Sequence, residues 1–207
     1  MKTEPMKGSN LFETLAGLLE QNIDPNTRAD EIWERYGHER AVMMLDSSGF
    51  SRVSEQLGII HFLSRLVLMR NMVEPVLREH GYLDFHFEAD NIFATFSCPD
   101  DAIGAAKAAH DTVYGNNLML TDNEPFRICI GIGYGRLLYS ETLEGFFGDE
   151  MNLASKLGED TAAGGETLIT PNAFKSASPQ LVAEYQERHV TVSGMQVNYY
   201  RYVHPDV

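Results

Sequence analysis

The sequence is short of cysteine and of positive charge, and it contains no long apolar run. Two cysteines in 207 residues, Cys98 and Cys129, make neither a disulfide framework nor a multi-thiolate zinc site. Sixteen lysines and arginines stand against thirty acidic residues, a formal net charge of −14. That deficit argues against a protein that grips a nucleic-acid backbone, which needs a basic face. It does not exclude a small anionic ligand whose charge is met by bound metal ions. No apolar run approaches the roughly 20 residues of a membrane span. The start, Met1 to Leu15, lacks the basic end, apolar stretch and cleavage site of a secretory signal. The seven histidines form no His-Glu-x-x-His pattern and no Gly-x-Ser-x-Gly elbow is present, so zinc-protease and serine-hydrolase chemistry gain no support. There is no internal repeat and no low-complexity tract. What remains is ordinary globular composition, 43% hydrophobic and 22% charged. The expectation is a soluble, cytoplasmic, mostly single-domain protein.

The pattern divides into a helical leader, residues 1–37, and a main domain, residues 38–207. In the leader Leu11, Leu15, Leu18 and Leu19 share one helix face. A second short helix is expected from Arg28 to Tyr36, with Ile32 and Trp33 as its packing edge. Docking on the main domain and docking on a second copy are both open. From Ala41 to Leu45 a continuous apolar run reads as a strand covered on both faces. It ends at Asp46-Ser-Ser-Gly-Phe-Ser51. A long amphipathic helix follows from Gly58 to Glu79, with Ile59, Phe62, Leu63, Leu66, Met69 and Val73 on one stripe. Pro75 suggests a kink or a second segment. Tyr82–Glu88 and Ile92–Phe96 form a hairpin with Asp90 at its tip. An Ala-rich helix runs from Pro99 to Tyr114, a strand from Phe126 to Gly135, a helix from Met151 to Asp160 and a strand from Glu166 to Thr170. A helix begins at Pro171, and a last hairpin joins Val190–Val192 to Val197–Val203 around Ser193-Gly194. The order β-α-β-β-α-β predicts an α+β sandwich of one mixed sheet with helices on one face.

Candidate chemistry gathers at three places. Asp46 closes a buried strand and Asp90 sits at a hairpin tip. Taken singly, Asp46 reads as a helix cap and Asp90 as a turn residue. Together they flank one crossover, and two carboxylates with a backbone carbonyl suit magnesium or manganese. Ser47, Ser48, Gly49, Phe50 and Ser51 form a small turn entering a helix, either a plain connection or a cradle of N–H groups for phosphate. Asn152 and Lys156, four apart, share a helix face. They read as a cap with a solvated charge, or as an amide and a cation offered to ribose and phosphate. Gly131-Ile-Gly-Tyr-Gly135 is neither a Walker loop nor a dinucleotide fingerprint. It reads as a strand whose glycines admit a close neighbour.

In order, these pieces resemble the class III adenylate/guanylate (nucleotidyl) cyclase catalytic domain, over Arg40 to Val203. Met44-Leu-Asp46-Ser-Ser-Gly-Phe-Ser51 is similar to the family's aspartate, two residues, then Gly-Phe-Thr. Glu88-Ala-Asp90-Asn-Ile-Phe-Ala-Thr-Phe96 is similar to its hairpin with the second metal aspartate. Ile130-Gly-Ile-Gly-Tyr-Gly135 resembles its Gly-Ile-x-x-Gly strand, and Gly148-Asp-Glu-Met-Asn152-Leu-Ala-Ser-Lys156 its Gly-x-x-Val-Asn-x-Ala-x-Arg helix.

The resemblance implies a ferredoxin-like βαββαβ core with an extended mixed sheet. Asp46, Asp90 and the Ser47 carbonyl would hold two Mg²⁺ or Mn²⁺ ions, Asn152 would orient the ribose, and Lys156 would face the α-phosphoryl charge. The substrate would be a nucleoside triphosphate, ATP first. The site would form between the chains of a head-to-tail homodimer. Four positions depart from the family. Lys156 replaces its arginine, and His86 its adenine-selecting lysine. Gly145, or Glu144 with a one-residue shift, stands at its second base-selecting position. Met195 stands where a basic residue often meets the phosphates. Histidine at 86 leaves GTP and pyrimidine nucleotides open. The alternative is a cyclase-like protein that binds nucleotide or a partner without turnover.

Overall fold

The computed structural model describes residues 10–141, 145–192 and 195–206. Its chain begins with α1 (Leu11–Glu20), capped by Asn10, whose side chain accepts from the Glu13 N–H. A 3₁₀ turn, Pro25–Arg28, leads into α2 (Ala29–Tyr36). Leu11, Leu18, Ile32 and Tyr36 are buried together with Leu138 against them. Leu19, placed on the same face by its spacing, is exposed. The leader docks on its own domain.

Strand β1 (Gly37–Ser47) follows α2 directly and is longer than the apolar run. Then come α3 (Phe50–Leu57), α4 (Ile59–Glu79), β2 (Asp84–Glu88), β3 (Asn91–Phe96) and α5 (Pro99–Gly115). A small ribbon, β4 (Met119–Thr121) with β5 (Glu124–Pro125), precedes β6 (Ile128–Ser140) and β7 (Gly145–Phe147). Helix α6 (Asp149–Ser155) runs on into a π-helical turn, Lys156–Thr161. The chain closes with β8 (Glu166–Ile169), α7 (Pro171–Ser176), α8 (Pro179–Val182), β9 (Gln186–Val192) and β10 (Met195–Val203). One expectation is corrected here. The long helix starts at Gly58 as expected, but it is one element, with Pro75 inside α4 and no second segment; Gly58, at φ 86°, separates it from the short α3 before it. The turn at Ser193-Gly194 lies outside the described residues.

The main sheet has the order β2-β3-β1-β6-β8-β10-β9, with β7 beside β6. Only the β6–β8 pairing is parallel among the described pairs. On one face Ala41, Met43 and Leu45 meet Ile128, Ile130 and Ile132 under α4 and α5. Four alanines of α5 (Ala102, Ala105, Ala106, Ala109) are buried there, so the helix lies close to the strands. In α4, Phe62, Leu66, Met69 and Val73 are buried, whereas Ile59 and Leu63 face outward. The helices are not confined to one face. Helix α6 packs on the other side, where Val42, Met44, Phe93, Phe146 and Ala154 form a second core. Strand β6 explains why: its isoleucines point one way and Gly131, Gly133 and Gly135 point the other. A Cβ on Gly131 would lie 2.1 Å from the Ala154 carbonyl, and one on Gly133 2.4 Å from that of Glu150. Only glycine lets α6 rest on this strand. No helix among the described residues is long and apolar enough to cross a membrane.

Candidate active site

Strand register assembles the first part of the site. Leu45 pairs with Ile92 across β1 and β3, so the β2–β3 turn carrying Asp90 falls beside Asp46 at the end of β1. Arg70 of α4 steadies that turn: its guanidinium donates to the Ala89 carbonyl and lies 4.1 Å over the Phe87 ring. Both aspartates line one cleft of about 500 Å³, together with Ser47, Ser48, Gly49, Phe50 and Ser51.

Asp46 does not cap the helix. Its Oδ1 accepts from the N–H of Ser47 at 2.6 Å, and α3 has no side-chain cap. The helix starts instead from Gly49 at φ 92°, a left-handed residue that favours glycine. The first N–H groups of α3 therefore have no partner within the helix. Ser48 is tied back to the residue just before β6, its N–H donating to the Arg127 carbonyl at 3.0 Å.

The charges in the cleft repel one another. Burial drives the Asp46 carboxyl up to about 6; the Ser47 N–H opposes this and the charge on Asp90 adds to it. Glu159, in the π-helical turn, lines the same cleft. Its carboxyl is also raised, by burial first and then by Asp46 and other nearby acids. Beside Asp46 in the strand register lies Cys129, its thiol pushed up to about 12 by burial and then by Asp46 and Glu166.

The residues present fit a divalent cation. Two hard carboxylates line one cleft, near enough for the charge on Asp90 to raise the Asp46 carboxyl, and the buried hydroxyl of Ser47, which lines it too, has no hydrogen-bond partner. Among the described residues no three His, Cys, Asp or Glu side chains form a self-sufficient cluster. A magnesium-type ion needs none, because it keeps water and phosphate in its shell.

The other predicted residues lie elsewhere on the chain. Asn152 is exposed on α6, and Lys156 opens the π-helical turn, half-buried; neither lines the Asp46 cleft. His86 lines a separate cleft of about 420 Å³ with Phe85, Phe93, Tyr139 and Phe146. Its ring stands 4.6 Å from that of Phe93. Gly145, on β7, pairs with Ser140 next to this cleft. Glu144 lies outside the described residues. The second core links this cleft to α6 through Phe93, Phe146, Met151 and Ala154. Another cavity of about 350 Å³, near Lys107, Asp111 and Arg201, holds none of the predicted residues.

Sequence reading missed Glu150. This buried carboxylate accepts from the Tyr134 N–H at 3.0 Å, the Thr170 hydroxyl at 2.6 Å and the Asn172 amide at 2.6 Å. It ties α6, two residues before Asn152, to β6 and to the start of α7. Its donors are 16 to 22 residues away in sequence, so no local spacing announces it. Glu159 and Arg52 were missed for the same reason.

No protein-family model matches the chain, and no curated protein matches it in sequence. Solved structures do match. The guanylyl cyclase Cya2 superposes with a TM-score of 0.68 at 20% identity, over 80% of this chain and 91% of that one. An adenylate/guanylate cyclase/hydrolase from Silicibacter pomeroyi gives 0.68 at 19%, over 83% and 99%. The catalytic core of a rhodopsin-guanylyl cyclase with converted specificity, in complex with ATPalphaS, gives 0.65 at 15%, over 80% and 97%. The chain has the fold of the adenylate and guanylate cyclase catalytic domains.

Proposed function

We propose that the protein is a nucleotidyl cyclase that converts a nucleoside triphosphate, ATP first, into the 3′,5′-cyclic nucleotide and pyrophosphate. One observation carries the reading: Asp46 and Asp90, from separate segments, share a cleft with the uncapped start of α3. Asp46, Asp90 and the Ser47 carbonyl would hold Mg²⁺ or Mn²⁺. Such ions, when bound, favour ionisation of the ribose 3′-hydroxyl and neutralise the triphosphate. The 3′ oxygen bonds to the α-phosphorus as the bond to the bridging oxygen breaks; pyrophosphate takes that electron pair and the hydroxyl proton passes to solvent. The turn from Ser48 to Ser51 cradles phosphate oxygens through the N–H groups that follow Ser48, whose own N–H is taken by the Arg127 carbonyl. Asn152 orients the ribose, and Lys156 meets the charge growing on the α-phosphoryl oxygens.

In this reading the two halves of the site come from different chains. Asn152 and Lys156 stand away from the Asp46 cleft of their own chain, and a second copy turned head to tail presents them to it. An apolar strip on α4 supports such pairing: Ile60 is 73% and Val67 53% exposed, with Leu63 between them. The division at residue 37 belongs to the same proposal, the leader bracing the β6–β7 arm through Phe12 on Phe147 and Trp33 under Arg136. His86 against Phe93 is a flat, partly aromatic wall that accepts any base by stacking. The test therefore offers ATP, GTP, CTP and UTP separately with Mn²⁺ and follows pyrophosphate and cyclic product. Product from at least one is expected. None, from a folded dimer, would favour binding without turnover.

A further inference from the structure

The cleft contains a cation that the catalytic scheme leaves unused. Arg52 is in the first turn of α3 and lines the cleft with Asp46 and Asp90. Among the described lining residues it is the one positive side chain, against the carboxylates of Asp46, Asp90 and Glu159. Its guanidinium folds back over the turn: Nη2 lies 3.1 Å from where a Cβ on Gly49 would sit. A larger residue at 49 would displace it, so the glycine serves the guanidinium as well as the backbone.

Arg52 is held by a distant partner. Its Nη2 donates to Glu124 Oε1 at 2.5 Å, across 72 residues, from the β4–β5 ribbon. The two side chains are 47% and 37% exposed, and an ion pair so open to water is a weak tether. A phosphate offers the same guanidinium a paired acceptor with more charge. The buried hydroxyl of Ser47, 3% exposed and without a partner, lines the same cleft. A polar group so placed is normally satisfied, which is an independent sign that a polar ligand completes this cleft.

We infer that Arg52 grips the terminal phosphates of the substrate, leaving Glu124 as the nucleotide enters. Lys156 serves the α-phosphoryl group from the neighbouring chain, and Arg52 lies on the helix start, where the distal phosphates rest. Glu124 competes with substrate and holds the guanidinium in place until it arrives. The inference rests on the cyclase reading of this cleft.

The test uses the full-length protein with tripolyphosphate and Mn²⁺ as the calorimetric probe, beside kcat and KM for whichever nucleotide is turned over. Arg52→Gln is expected to weaken tripolyphosphate binding at least about tenfold, the size of a lost charge-assisted contact. It should raise KM in parallel and change kcat much less, and Arg52→Lys should restore part of the affinity. Glu124→Gln should tighten binding about threefold, and should do nothing in the Arg52→Gln background. Unchanged binding and KM in Arg52→Gln, with an active wild type, would overturn the inference and leave the cyclase reading intact. Arg52-dependent tripolyphosphate binding without turnover of any nucleotide would support the phosphate grip and defeat the cyclase. Neither binding nor turnover in the wild type would defeat both.

Discussion

Asp46 has to be ionised to hold a cation, and its surroundings resist that. Its carboxyl sits at about 6 in the fold against 3.8 when free. The folded state therefore binds the proton more readily than the unfolded chain. Without divalent ions this group's penalty is absent below about pH 4, grows from 4 to 6, and is fully present above. Asp46→Asn, which keeps an acceptor for the Ser47 N–H, should stabilise the ion-free protein at pH 7.5 by about 1 kcal/mol, allowing for partial exposure. The gain should vanish near pH 4; thermal unfolding of both proteins at the two pH values checks it. Glu150 behaves differently. Replacing it by Ala strands three donors around a buried site and should cost roughly 2–4 kcal/mol. Gln keeps one acceptor for Tyr134 and Thr170, so it should cost clearly less in urea unfolding. The contrast between these acids explains what was legible. Asp46 and Asp90 stand at a strand end and a hairpin tip, positions that local pattern reveals. Glu150 takes its meaning from Thr170 and Asn172, and Arg52 from Glu124, contacts that only the tertiary fold makes.

Strand β6 and helix α6 act together. Gly131 meets the Ala154 carbonyl and the Gly158 N–H where a Cβ would come within 2.1 and 2.5 Å. Gly131→Ala should lift α6 off the sheet, costing roughly 1–3 kcal/mol and lowering any turnover more than unfolding alone explains. Wild-type stability and turnover in that variant would show the close seat to be dispensable. The alternation of isoleucine and glycine announced this contact in advance. The π-helical turn that follows was not announced, because its widening depends on Gly158 lying against Met44 and Gly131; such turns often mark functional sites, and this one carries Glu159 into the cleft. The first residues of β1, Gly37 to Arg40, escaped notice because they are not an apolar run. They pair with Gly135 to Leu138 beneath the leader. Gly58, where the sequence pattern starts the long helix, divides α3 from α4.

For the molecule as a whole, the order of strands and helices was readable because hairpins and crossovers leave distinct local signatures. Placement of α6 opposite the other helices was not, because it depends on which side of β6 lacks side chains. A chain of net charge −14 that binds a polyphosphate needs cations in the bound state, and chelation should abolish turnover without unfolding it. Exchange of Ile60 and Val67 for lysine should dissociate the proposed dimer in sedimentation experiments and remove activity. Mixing Asp46→Asn chains with Asn152→Ala chains should restore part of it, since one interface site is then whole. No rescue in demonstrated mixed dimers would contradict the shared site. The most direct measurement counts bound Mn²⁺ by electron paramagnetic resonance in the presence of a non-cyclisable triphosphate. Two ions per site are expected in the wild type, with marked loss in both Asp46→Asn and Asp90→Asn; unaltered binding in either variant would contradict the assignment of these two carboxylates.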